Sequence, residues 1–332
     1  MEILHCFLHG QQIKSNRVLS DKKGRSIFMV NSNRKNVVRY FNSTKVAPYL
    51  FVAPFIITFL LVYLYPFLAT IEMSFQRLAG FGDVTFIGLE NYQRLWNEHF
   101  GNALVTTTQY TFWTILILIP LPILLAVILD SKTTKLKNFF KSALFIPALT
   151  SVIVAGIFFR FAFGEQATTL ANIVIGAFGF KPITWLQLKG PAMFTLVTLC
   201  TWRWLGVNII YFLSGLQGIP AELYEAAEID GANTWNKFRW ITIPNLKPVI
   251  IYVTTISIYG GFSMFAESYA IWKTTTPGDI GMTIVSYLYQ MGFNNNDMGF
   301  ASAIGITLLF IVLMVSLIQL KLFGFFKKDS DG

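Results

Sequence analysis

The sequence has few charged residues for its length. Lysine, arginine, aspartate and glutamate make up 13% of its 332 residues, whereas hydrophobic residues make up 54%. An ordinary soluble domain carries about 25% charged residues. This shortage excludes a typical soluble domain and indicates that lipid surrounds much of the chain.

Cysteine and histidine are also scarce, with two and three residues respectively. Cys6 lies near the N-terminus and Cys200 lies inside a hydrophobic run, so we expect no disulfide between them. His5, Cys6 and His9 are close together, but three ligands without a fourth fall short of a structural zinc pattern. We therefore predict no metal site and no cofactor in this chain.

Nucleotide-binding and hydrolytic motifs are missing as well. The sequence contains no G-x-x-x-x-G-K-[ST] loop to hold ATP phosphates, no H-E-x-x-H zinc motif and no G-x-S-x-G nucleophile elbow. We therefore expect that the chain is not itself an enzyme.

What the sequence does contain is six long hydrophobic runs. They cover residues 49–71, 105–129, 142–163, 191–216, 249–266 and 299–323. A helix of about 20 residues crosses the roughly 30 Å of bilayer hydrocarbon. The runs are continuous rather than alternating, which excludes a membrane β-barrel. We predict an all-α polytopic membrane protein with six transmembrane helices.

Lysine and arginine are distributed asymmetrically around these runs. Nine precede the first run and four lie between the second and third, whereas the loops after the first and fifth runs hold two and one. By the positive-inside rule, both termini and the segment between the fourth and fifth runs are cytoplasmic. The net charge of +9 then reflects insertion and contact with membrane lipids, and we expect no nucleic-acid partner. The expected organisation is a basic cytoplasmic extension at 1–44, a membrane domain at 45–328 with a cytoplasmic loop at 217–247, and a tail at 329–332.

A polar segment, EAAEIDGANTWNKFRWITIP, separates the fourth and fifth runs. Pro220 is placed to begin a helix and Gly231 to end it, since glycine tolerates the left-handed conformation that closes helices. Asn233, or the threonine after it, then caps a second short helix that we expect to end at Pro244. The pattern predicts a helix-turn-helix element that fits a groove on another protein.

The same segment resembles the EAA loop of binding-protein-dependent ABC transporter permeases. That motif, EAA-x3-G-x9-I-x-L-P, is matched with isoleucine in place of its leucine, and its anchor residues here are Glu225, Ala226, Ala227, Gly231 and Pro244. The stretches LSGLQGIPAELY, FIGLENYQRL, ALFIPA and MGFASAIGI are similar to the carbohydrate, maltose-type branch of the family. Within that branch the chain most resembles arabino-oligosaccharide permease subunits.

The resemblance implies the ABC importer permease fold and a set of partners in the bacterial cytoplasmic membrane. These are a second homologous permease subunit, two ATP-binding subunits that hold ATP and Mg, and an extracytoplasmic solute-binding protein that delivers an oligosaccharide. The implied ATPase-coupling residues are Glu225, Ala226, Ala227, Asp230, Gly231 and Pro244. The alternative for Glu225 is an ordinary exposed helix charge.

The fourth run is the least lipid-like and is the predicted substrate path. Trp204, Asn208 and Tyr211 share one helical face, where an aromatic ring, an amide and a phenol suit a neutral sugar. The alternative is helix packing, with Asn208 bonded to a neighbouring span. A charge inside the membrane, as at Arg203, is a candidate for a gate or intersubunit contact. With the glycine that the resemblance adds and an aromatic residue of the fifth run, the predicted path residues are Arg203, Trp204, Gly206, Asn208, Tyr211 and Phe265.

Two other classes of function stay open at this point. An ion-coupled secondary transporter needs carboxylates inside the spans, and the six runs contain almost none. A membrane scaffold subunit needs no substrate path, and failure to co-purify with an ATPase would favour it. The motifs favour the permease over both.

Overall fold

The computed structural model describes residues 43–78, 84–131, 135–273 and 277–324, together with two short strands near the N-terminus. These strands, β1 (Leu19–Ser20) and β2 (Ser26–Ile27), pair antiparallel. The rest of the predicted extension before residue 43, and the predicted tail at 329–332, lie outside the described residues. The chain divides into two compact units, Met1–Leu68 and Ala69–Gly332.

The first unit contains the start of a long membrane helix. Helix α1 (Ala47–Thr58) continues through a π-helical segment, Phe59–Leu64, into α2 (Tyr65–Ser74), whose end belongs to the second unit. The whole stretch has 28 residues, and none of its most apolar part is buried within the chain. A helix that is apolar on all sides is typical of a membrane span.

The second unit consists mainly of helices joined by short connections. Strands β3 (Gln76–Arg77) and β4 (Thr85–Phe86) pair antiparallel ahead of them. Two π-helical segments, Phe238–Thr242 and Gln290–Asn294, and a 3-10 turn, Pro277–Asp279, interrupt the helices. In chain order the helices are α3 (Glu90–Gln93), α4 (Glu98–Leu118), α5 (Pro120–Asp130), α6 (Lys137–Leu149), α7 (Val152–Ala162), α8 (Leu170–Ala177), α9 (Lys189–Gln217), α10 (Ala221–Ile229), α11 (Thr234–Lys237), α12 (Ile243–Phe262), α13 (Ala266–Trp272), α14 (Ile284–Tyr289) and α15 (Met298–Leu322).

Five of the six predicted runs coincide with helical stretches long and apolar enough to cross a membrane. These stretches are Ala47–Ser74, Glu98–Asp130, Lys189–Gln217, Thr234–Trp272 and Met298–Leu322. They are helical because every backbone hydrogen bond must be satisfied within the segment when no water is present, and their length follows from the thickness of the bilayer. The all-α, polytopic prediction is confirmed.

The third predicted run differs from a single straight span. Residues 142–163 are divided between α6 and α7, which are bent by 94° relative to each other. Pro147 lies inside α6 and removes one backbone donor, and the two residues at the bend, Thr150 and Ser151, have extended ψ angles near 135° and 131°. Because α7 has only 11 residues, the run counts as a span only if both helices are taken together.

Helix α9 lies at the centre of the second unit and packs against α4, α5, α6 and α12. Since lipid is as apolar as leucine, close packing rather than burial from water holds such helices together. Gly206 illustrates this, because a Cβ atom there would lie 2.0 Å from the carbonyl oxygen of Leu144. The backbones of α9 and α6 are therefore in contact at this glycine.

Candidate functional site

The polar segment between α9 and α12 begins with helix α10, which closes as the sequence predicts. Gly231 has a φ of 74°, in the left-handed region. Its N–H bonds to the carbonyl of Glu228, and the N–H of Ala232 bonds to the carbonyl of Ala227. This pair of bonds is the Schellman motif, in which glycine is strongly preferred. At the other end, Pro220 is the N-cap residue and not the first helical residue, so the helix begins at Ala221, one position later than predicted.

The second half of the segment is continuous with the fifth span. The side chain of Asn233 accepts a hydrogen bond from the N–H of Asn236 at 2.8 Å, which confirms the predicted cap. The expected end at Pro244 is wrong, because α11 passes through the π-helical segment Phe238–Thr242 directly into α12. Pro244 directly follows the π-helical segment, and the helix continues past it although the proline supplies no N–H.

Two contacts hold α10 against this second helix. The hydroxyl of Tyr224 lies 2.9 Å from Oγ1 of Thr242, and Nζ of Lys237 lies 2.7 Å from Oε1 of Glu228. Within the second helix itself, the ring of Trp235 lies against Phe238, with 5.7 Å between the ring centroids. The turn is therefore a fixed element that carries its exposed residues as one surface.

That surface combines exposed apolar residues with carboxylates. Glu225, Ala226, Asp230, Gly231 and Pro244 are exposed, and Ala227 is half-buried. Large apolar side chains beside them are unusually exposed: Ile229 by 88% and Trp240 by 69%. Exposed apolar patches rimmed by charge are typical of protein interaction sites. The geometry fits the predicted role in docking a partner.

A cavity of about 500 Å³ lies among α4, α9, α12 and α13. Three of the predicted substrate-path residues line this cavity. Its lining residues are Tyr110, Thr114, Leu118, Cys200, Trp204, Asn208, Ile256, Ser257, Tyr259, Gly260, Gly261, Ser263, Met264, Phe265, Ala266 and Glu267. Seven of these sixteen residues carry an aromatic ring or a hydroxyl group, and Glu267 is the one charged residue in this set.

The structure brings three of the predicted path residues together and separates two others. Trp204, Asn208 and Phe265 line the cavity. Gly206 instead contacts α6, as described above, and Tyr211 packs edge-on against Tyr252 with ring centroids 5.4 Å apart. Neither Gly206 nor Tyr211 belongs to the lining of this cavity, so their assignment to the path stays a prediction.

Arg203 forms an ion pair beside the cavity. Its Nη1 lies 3.0 Å from Oε1 of Glu267, and both side chains are largely buried, with 12% and 13% of their surface exposed. The guanidinium lies 5.8 Å from the ring of Trp204, and within the described chain its buried Nε has no hydrogen-bond partner. The pair joins α9 to α13 and neutralises the carboxylate that faces the cavity.

Asn208 has a structural role in addition to its place in the lining. Its side-chain amide donates to the carbonyl oxygen of Leu118 at 3.1 Å. In a regular helix that carbonyl would accept from the residue four positions later, which is Pro122 and has no N–H. Asn208 therefore satisfies a carbonyl left free where α4 passes into α5, as the helix-packing alternative anticipates.

Several lining residues were not predicted from the sequence. Tyr110, Thr114 and Leu118 lie on one face of α4 at helical spacing, inside the second hydrophobic run. The hydroxyl of Thr114 bonds to the carbonyl of Tyr110, so it is accommodated in the span without an external partner. A tyrosine and a threonine four residues apart in a membrane run were the available signal.

No group of three metal-ligating side chains occurs within the described part of the chain. The cluster of His5, Cys6 and His9 lies outside the described residues. The cavity offers aromatic rings, hydroxyls, an amide and a neutralised carboxylate, a set suited to reversible binding of a polar, uncharged molecule.

Comparison with known proteins relates this fold to membrane transport. Residues 118–322 match the family model described as "Binding-protein-dependent transport system inner membrane component". The chain is 58% identical over 290 residues to the arabinooligosaccharides transport system permease protein AraP of Bacillus subtilis, covering 87% of this chain and 92% of that protein. It is 32% identical over 295 residues to the lactose transport system permease protein LacF of Rhizobium radiobacter, covering 88% and 97%.

Solved structures with a similar fold include a bacterial ABC transporter involved in the import of the acidic polysaccharide alginate. A chain of that transporter aligns with a TM-score of 0.75 at 22% identity, over 90% of this chain and 100% of its own length. A chain of a second structure, the alginate transporter in complex with a periplasmic protein that holds an alginate pentasaccharide, aligns with a TM-score of 0.73 at 22% identity, over 86% and 94%.

Proposed function

This chain belongs to the family of inner membrane components of binding-protein-dependent transport systems, and we propose that it is a permease subunit of an ATP-driven oligosaccharide importer. The observation that supports this most directly is the 58% identity to an arabinooligosaccharide permease over 87% of the chain. Arabino-oligosaccharides are therefore the substrates to test first.

The cavity among α4, α9, α12 and α13 is the proposed sugar site. Trp204 and Phe265 offer aromatic faces for the C–H face of a sugar, and the hydroxyl and amide groups of the lining offer partners for its hydroxyls. The charge of Glu267 is neutralised by Arg203, so the site favours an uncharged ligand. An acidic sugar would find no free cation in this lining.

The polar segment that contains α10 is the proposed contact with the ATP-binding subunits. Glu225 is exposed on α10 and makes no ion pair within the described residues, which leaves it available to a donor on a partner. A charge-assisted hydrogen bond of this kind contributes about 1.5 to 3 kcal/mol when desolvated. Because α11 runs unbroken into α12, a displacement at the ATPase is transmitted as a movement of the fifth span and of the cavity wall it forms.

The complete transporter then requires further subunits. We infer a second permease that supplies the other half of the path, two ATPases that hold ATP and Mg, and an extracytoplasmic binding protein. The lysine and arginine asymmetry supports both termini and the α10 surface being in the cytoplasm, and the similarity to a Bacillus subtilis permease supports a bacterial cell membrane.

The experiment that tests the sugar site compares two aromatic residues of one helix. In proteoliposomes containing the assembled transporter, Trp204→Ala is expected to lower apparent affinity for labelled arabino-oligosaccharide by about tenfold, through loss of a contact of roughly 1 to 2 kcal/mol. Phe194→Ala, on the same helix but outside the lining and not among the predicted path residues, is the matched control and is expected to leave affinity unchanged. Equal effects of the two variants would remove this cavity from the path. Uptake that persists without ATP and stops with a proton ionophore would instead establish a secondary transporter.

A further inference from the structure

A second cleft, separate from the proposed sugar site, combines apolar walls with two basic side chains. It has a volume of about 490 Å³ and lies between α7 and α13, which pack against each other. It shares no lining residue with the cavity that contains Trp204. The walls are Ile153, Ile157, Phe161, Tyr269 and Ala270, and the basic residues are Arg160 and Lys273.

The two basic side chains have no acidic partner in the part of the chain that the structure describes. None of the five ion pairs found there involves Arg160 or Lys273. Nearby carboxylates along the sequence are already engaged, since Glu165 accepts from a glutamine amide and Glu267 is paired with Arg203. Both cations are exposed, so an anion from outside the chain can reach them.

The apolar wall leads along α7 to these cations. Ile153, Ile157 and Arg160 follow helical spacing on one face, and Ile153 and Arg160 are separated by about 10 Å along the axis. Ile153, Ile157 and Phe161 are 41%, 44% and 74% exposed, and they lie in a predicted membrane run, where exposed apolar residues face acyl chains. Arg160 is in the last turn of α7 and Lys273 directly follows α13, so both charges lie at helix ends.

We propose that this cleft binds an anionic phospholipid. Its phosphate lies between Arg160 and Lys273, and the first part of one acyl chain lies along Ile153 and Ile157. A free phosphate ion matches the charges but leaves the apolar wall uncovered, and a zwitterionic lipid brings a positive charge toward two cations. A cation in the last turn also stabilises the helix dipole, but that effect accounts for Arg160 alone and not for the convergence of two charges on one cleft.

The test uses the whole 332-residue chain in detergent micelles and measures bound lipid by native mass spectrometry. Phosphatidylglycerol and phosphatidylcholine with identical acyl chains are added separately, and we expect the wild-type chain to prefer phosphatidylglycerol. Each basic residue near a membrane surface strengthens attraction to anionic lipid by about fivefold, so Arg160→Gln/Lys273→Gln is expected to lose roughly 25-fold of that preference. The charge-matched control Lys181→Gln/Lys189→Gln is expected to keep it.

A third variant separates the lipid from a simple anion. Ile157→Trp keeps both cations but fills the apolar wall, and it is expected to lose phosphatidylglycerol binding. Retention of binding by Ile157→Trp, or displacement of the lipid by inorganic phosphate, would overturn the proposal in favour of an anion site. An equal loss in the control variant would show only general attraction to charge. Disappearance of the preference when the second permease subunit is bound would mean that this subunit covers the cleft, which also overturns it.

Discussion

Asn208 and Pro122 are predicted to be energetically coupled although they lie on different helices. Pro122 has no N–H, so the carbonyl oxygen of Leu118 lacks its usual helical donor. The amide of Asn208 fills this position at 3.1 Å. Removing the amide leaves a buried acceptor unpaired, whereas replacing the proline restores a backbone donor to the same oxygen.

The structure sets the size of the effect. Hydrogen bonds between membrane helices contribute about 0.6 kcal/mol on average and up to about 1.7, and leaving a buried acceptor unpaired costs about 1 to 3. Asn208→Ala is therefore expected to lower the free energy of unfolding by about 1 to 2 kcal/mol. In a Pro122→Ala background the restored N–H bonds to Leu118, and the coupling energy between the two changes is expected to be about 1 kcal/mol.

The assay is reversible unfolding in mixed micelles of increasing SDS content, applied to the wild type, both single variants and the double variant. Thr198→Ala is the control, because its hydroxyl bonds only to the carbonyl of Phe194 in its own helix and is exposed. We expect this control to show no coupling with Pro122→Ala. An Asn208→Ala cost that is the same with and without Pro122 would refute the assignment of the amide to the freed carbonyl.

The remaining predictions concern packing, charge and orientation. Gly206→Ala is expected to cost about 1 to 3 kcal/mol by forcing α9 away from α6, whereas Gly260→Ala, where an added Cβ meets nothing within 4 Å, is expected to be tolerated; equal unfolding midpoints would contradict this. Glu267→Gln leaves a buried guanidinium without its carboxylate and is expected to destabilise the chain by about 3 to 5 kcal/mol, most of which Arg203→Gln restores in the double variant; a double variant as unstable as the single one would argue against the pair. A cysteine replacing Thr85 is expected to react with an impermeant thiol reagent outside intact cells and one replacing Asn236 is not; the reverse labelling would invert the proposed orientation.

Local signals in the sequence were sufficient for the turn after α10. Gly231 and Asn233 are short-range stop and start signals, and the structure places both as such. The expected end at Pro244 failed because the helix changes to π-type hydrogen bonding just before the proline, where the N–H of Ile243 bonds to the carbonyl of Phe238, and then continues past it. Hydropathy likewise located the runs, but it reports composition and not direction, so the bend between α6 and α7 was not visible in it.

Contacts between distant parts of the chain were beyond the reach of sequence patterns. Arg203 and its partner Glu267 are 64 positions apart, and Asn208 bonds to a carbonyl 90 positions away. Helical spacing placed Tyr211 with Trp204, but which part of a broad face meets a cavity depends on the neighbouring helices. At Tyr211 the neighbour is Tyr252 of α12, whose ring packs against it, and Tyr211 is not part of the cavity lining.

The central claim is that the segment around α10 couples ATP hydrolysis to sugar movement through the membrane. The most direct measurement is ATP-driven uptake of labelled arabino-oligosaccharide into proteoliposomes that contain the assembled transporter, with the wild type or with Gly231→Val. Valine is strained at a φ of 74°, and no side chain lies within 4 Å of an added Cβ, so the change is confined to the turn. We expect the variant to insert and to bind sugar normally, while the ATPase hydrolyses ATP without uptake. Uptake by Gly231→Val at the wild-type rate and with the wild-type dependence on ATP would contradict the account.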